Sequence, residues 1–78
     1  MLRKEKNMPL ITLEGARVSA GFTQAELAER LGISRATVSA WETGKRDITS
    51  VQLAAFCYVT GFSEDSISLP KEVRNVNS

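Results

Sequence analysis

The feature that most constrains this chain is its punctuation. Thr12, Thr23, Ser34, Thr49 and Ser63 each stand just before a helical pattern, and Gly32, Gly44 and Gly61 each stand just after one. A Ser or Thr side chain satisfies the orphan N–H groups at a helix start, and Gly supplies the left-handed residue that ends one. Thr12 is read as the cap of a first helix over Gly15–Ala20, ended by Gly21. Thr23 with Glu26 forms a capping box, and Leu27, Ala28 and Leu31 give the second helix one apolar face. Ser34 opens a third helix running to Thr43, and Thr49 a fourth running to Thr60. Ser63, Glu64 and Asp65 start a last single turn, and Pro70 closes the pattern. Pro9–Ile11 and Ile67–Leu69 are too short to promise a sheet. The fold class is therefore all-α, a compact bundle of four to five short helices.

At 78 residues the chain supports one domain with one small core. The expected organisation is a flexible basic arm over 1–8 (Arg3, Lys4, Lys6), a folded region over 9–70 and a frayed tail over 71–78; Met8 is a second candidate start. No apolar run reaches the roughly 18 residues that a membrane span needs. There is no histidine and a single cysteine, Cys57, so zinc fingers and an internal disulfide are excluded. No nucleophile–base pair and no Gly-rich phosphate loop can be nominated. A cytoplasmic non-enzyme without cofactor or small-molecule ligand is expected. The net charge of +1 says little about partners, but Arg35, Lys45 and Arg46 cluster in a stretch whose only acid before Asp47 is Glu42.

The segment Gln24–Glu42 carries the most information. Two short helices meet at Gly32, with Ala28 small enough for a close crossing and Leu27, Leu31, Ile33, Val38 and Trp41 placed to pack around the turn. At 100° per residue, Val38 and Trp41 fall on one side of the third helix. Ala36, Ser39, Ala40 and Thr43 fall opposite, with Arg35 on the flank. That outer face is small, hydroxyl-bearing and acid-free, which suits close approach to a surface such as the floor of the DNA major groove.

The run from Thr23 to Arg46, TQAELAERLGISRATVSAWETGKR, resembles the helix-turn-helix of the Xre family, the phage-repressor and Cro type of DNA-binding domain. The similarity extends over about Leu13 to Phe62. It implies a lambda-repressor-like helix-turn-helix fold and a sequence-specific transcriptional regulator, most simply a repressor, acting on a two-fold symmetric operator as a homodimer. By the same resemblance Ser34, Arg35, Ala36, Ser39 and Ala40 line the groove and read bases. Gln24, Thr43, Lys45 and Arg46 meet phosphates, and Arg17 and Glu42 form a structural ion pair. Ala36 and Ala40 depart from relatives that carry Gln or Asn there, so direct readout is sparse and DNA shape carries part of the specificity.

Other residues have plainer roles. Leu27, Leu31, Val38, Trp41, Leu53 and Phe56 are read as core, and Cys57 as an inert buried thiol. On the fourth helix Val51, Ala55, Tyr58 and Val59 are directed outward as an apolar stripe, a candidate dimer or partner surface. Two alternatives stay open: Ile67, Leu69 and the C-terminal segment fold back over that stripe, or the stripe or the tail over 71–78 binds a toxin protein, which would make the chain an antitoxin that autoregulates its operon.

Overall fold

The computed structural model describes residues 10–70. The arm and tail expectations lie outside them. Four α-helices follow one another: α1 (Leu13–Ser19), α2 (Gln24–Leu31), α3 (Arg35–Thr43) and α4 (Ser50–Thr60), then a 3-10 turn over Glu64–Ser66. Each α-helix begins at the hydroxyl residue that the sequence marks. Thr12, Thr23, Ser34 and Thr49 accept from the N–H of Gly15, Glu26, Thr37 and Gln52 respectively. Thr23–Glu26 and Thr49–Gln52 are reciprocal capping boxes. Ser63 makes no side-chain cap bond to its 3-10 turn.

The first helix starts two residues earlier than the sequence suggests. Thr12 caps at Gly15, so Leu13 already lies within α1, and Leu13 and Ala16 join the core. The second difference is a pair of two-residue strands, β1 (Ile11–Thr12) and β2 (Ile67–Ser68), which align in parallel with Ile11 opposite Ile67. Neither has the length or alternation of a strand. The helical core between them brings the two ends together, and Ile67, 8% exposed, packs against it. The fold remains all-α.

The core is continuous through the bundle: Leu13 and Ala16 from α1, Leu27 and Ala28 from α2, Val38 and Trp41 from α3, Phe56 and Cys57 from α4, and Ile67. Leu31, Ile33, Leu53, Val59 and Leu69 are half-buried against it. Trp41 contributes bulk rather than its polar edge, since its Nε1–H is buried with no hydrogen-bond partner among the described residues.

The turn between α2 and α3 fixes their crossing. Gly32 sits at φ +73°, and the N–H of Ile33 reaches back to the Ala28 carbonyl at 3.0 Å. A side chain at that φ would be strained, which is why Gly stands there. The result packs α3 across α2 with Val38 and Trp41 turned inward and the opposite face of α3 left open.

Candidate nucleic-acid interface

The open face of α3 is presented by the core beneath it. Arg35, Ala36 and Thr43 are exposed, while Ser39 and Ala40 are half-buried. The acid of the helix, Glu42, points the other way: its side chain is 4% exposed. Its Oε2 accepts from Arg17 Nε at 2.7 Å, and its Oε1 accepts from Arg17 Nη2 at 3.3 Å and from Gln24 Nε2 at 2.9 Å. Arg17 also donates to the Phe22 carbonyl at 2.8 Å. One buried carboxylate therefore ties α1, the start of α2 and the end of α3 together, and it removes negative charge from the surface that faces outward.

The chain leaves α3 through Gly44 at φ +82°. It doubles back, and the N–H groups of Lys45 and Arg46 both bond the Ala40 carbonyl, at 2.9 and 3.2 Å. A Cβ on Gly44 would lie 3.2 Å from Pro70 Cβ, so the C-terminal segment packs on this turn. Lys45 and Arg46 are exposed beside the open face of α3. Arg46 Nη1 donates to Thr37 Oγ1 at 3.3 Å. The Arg46 guanidinium is thus carried back to the first turn of α3, the end that also bears Arg35, while Lys45 stands in the turn that follows its last residue.

The remaining residues singled out by sequence fall as follows. Ser34 Oγ caps α3 and lies 2.9 Å from Thr37 Oγ1. Thr43 spends its hydroxyl hydrogen on the Ser39 carbonyl at 3.1 Å. Gln24, at the start of α2, is half-buried with its amide nitrogen on Glu42. Thr37 joins this group in the structure alone; its signal in the sequence is the spacing S-x-x-T from the cap, which places two hydroxyls on one edge of the first turn.

On α4 the structure leaves Val51 at 78% and Tyr58 at 90% exposure. Ala55 is exposed too, whereas Val59 is half-buried and packs against the core. The rotation of the helix carries it past the open side, and Ala54 takes a place on the stripe instead. Ile67 and Leu69 cover the core and leave Val51 and Tyr58 open. Cys57 lies on the inner side of α4, where burial, then the charge of Glu64, pushes its thiol pKa up and favours the protonated form. Among the described residues no group of His, Cys, Asp and Glu is arranged to hold a metal ion, and no helix is long and apolar enough to cross a membrane.

Two crossed helices joined at a left-handed glycine, with the second presenting an acid-free face edged by arginine and lysine, define a helix-turn-helix DNA-binding domain. A family model described as helix-turn-helix matches residues 13–66, which takes in α1 through the 3-10 turn. The chain belongs to the Xre-type helix-turn-helix family. In general terms it is a DNA-binding transcription regulator, of a regulatory family that is not typically enzymatic. No curated protein and no solved structure matches the chain at a significant level.

Proposed function

We propose that this protein is a sequence-specific repressor that lays α3 in the major groove of a two-fold symmetric operator and acts as a homodimer in the cytoplasm of a bacterial or phage-infected cell. The observation that carries the reading is the outward face of α3, cationic at both ends, with Glu42 withdrawn into the Arg17 pair. An α-helix fits the major groove, and Arg35 can donate two bonds to a guanine edge, worth about 1–3 kcal/mol of discrimination. Ala36 and Ala40 pack against thymine methyls, and Ser34 and Ser39 line the groove between them. Lys45, Arg46, Thr43 and Gln24 meet phosphates and set the register without reading sequence. Thr43 and Gln24 do so after turning a donor outward from Ser39 and Glu42.

The homodimer rests on α4. Val51, Ala54, Ala55 and Tyr58 are spaced symmetrically about the midpoint of the two alanines, and Ser50–Thr60 contains no Asp, Glu, Lys or Arg. Two antiparallel copies would therefore set Val51 against the second copy's Tyr58, with the alanines at the crossing and no like charges opposed. A toxin-binding antitoxin would use the same stripe, but this self-complementary spacing favours a second copy. Selection from a random duplex library at about 150 mM salt tests the proposal, because weak non-specific binding is suppressed there. Enrichment of a two-fold symmetric site is expected. Enrichment of a lone half-site would remove the homodimer, and no enrichment would remove the operator.

A further inference from the structure

We infer that Thr37 is a positioning residue: its hydroxyl holds the Arg46 guanidinium against the first turn of α3, so that Arg46 meets the DNA backbone beside Ser34. The inference rests on the DNA-binding reading above and adds to it a residue with no role so far. Arginine has no acceptor, so in the 3.3 Å contact Arg46 Nη1 must donate and Thr37 Oγ1 must accept. Thr37 is fixed in turn, since its Oγ1 lies 2.9 Å from Ser34 Oγ and its N–H donates to that same atom at 3.1 Å. The Arg46 backbone is pinned one turn away on the Ala40 carbonyl at 3.2 Å. Both ends of a long cationic side chain are thereby tied to the helix that enters the groove.

An arginine left free in solvent must lose rotamer freedom when it binds phosphate, and one already held loses less. The remaining guanidinium N–H groups are free to point outward.

The test combines the isosteric Thr37→Val, the hydroxyl-retaining Thr37→Ser and Arg46→Ala in a double-mutant cycle on duplex DNA. Thr37→Val should weaken binding about three- to tenfold with Tm unchanged, Thr37→Ser should restore most of it, and Thr37→Val should have no further effect once Arg46 is alanine. Additive losses would show that Thr37 touches DNA by itself and would overturn the inference, as would full binding by Thr37→Val. A readout without DNA separates this inference from the functional reading. In the free protein, 15N relaxation of the Arg46 Nε–H should show an ordered side chain that loosens in Thr37→Val. An equally mobile Arg46 in both proteins would contradict the positioning role even if DNA binding were confirmed. An ordered Arg46 in a protein that binds no DNA would place the failure in the functional reading, and with it the claim that Arg46 meets a backbone phosphate.

Discussion

At the scale of single residues, a largely buried arginine has the widest reach. Arg17 is 8% exposed, and its guanidinium meets Glu42, the Phe22 carbonyl and, at 3.9 Å, Glu14. A buried pair of this kind contributes little net stability compared with apolar packing, but removing one partner strands the other's charge. Arg17→Ala is therefore expected to cost about 3–5 kcal/mol in urea unfolding, because Glu42 is left buried and bonded only to Gln24. A loss below about 1 kcal/mol would mean that Glu42 swings out to solvent, and the acid-free face of α3 would no longer hold. The pairing of Arg17 with Glu42 was readable from the resemblance. The third member, Gln24, was not, because nothing in the sequence says that positions 24 and 42 lie on facing sides of a helix crossing. Arg46 makes the same point: the sequence gives its charge, but its contact with Thr37 depends on how the chain doubles back after Gly44.

At the scale of elements, local chemistry sets the helix starts. Four of the five hydroxyl residues marked by sequence accept a backbone N–H at the helix they open. The fifth, Ser63, does not; its Oγ lies 3.0 Å from Ser66 Oγ instead. Thr23 does double duty in α2, accepting from the Glu26 N–H at 3.0 Å while its own N–H donates to Glu26 Oε1 at 2.9 Å. Thr23→Ala should cost about 1 kcal/mol, within a range of about 0.5–2. Amide exchange should quicken at the start of α2, near Gln24, while the centre of α4 is unchanged. Uniform loss of protection across all four helices would indicate that the cap is a global rather than local support. The two-residue strands show where such local reading stops. No propensity in Ile11–Thr12 or Ile67–Ser68 favours a ladder; the pairing exists because the core places these segments side by side. Val59 is a similar case, since helical spacing narrows a residue's direction to an arc and packing against the core decides the rest.

At the scale of the molecule, the two outward faces differ in chemistry. The α3 face with its returning loop is cationic and hydroxyl-lined; the α4 stripe is uncharged and apolar. A net charge of +1 conceals this arrangement, because the exposed acids Glu14, Glu26, Glu29, Glu64 and Asp65 belong to α1, α2 and the 3-10 turn rather than to α3. If a dimer neutralises about 6–10 phosphates, affinity should fall by about 10³–10⁵ between 50 and 200 mM salt. That electrostatic term alone does not say which face does the binding. The most direct measurement is an amide 1H–15N titration of the protein with duplex DNA at low salt. The largest shifts are expected at Gln24 and along 34–46, with little change at Val51, Ala54, Ala55 and Tyr58 when the protein concentration is held constant. Shifts confined to the α4 stripe, or none at all from folded protein, would contradict DNA binding through α3.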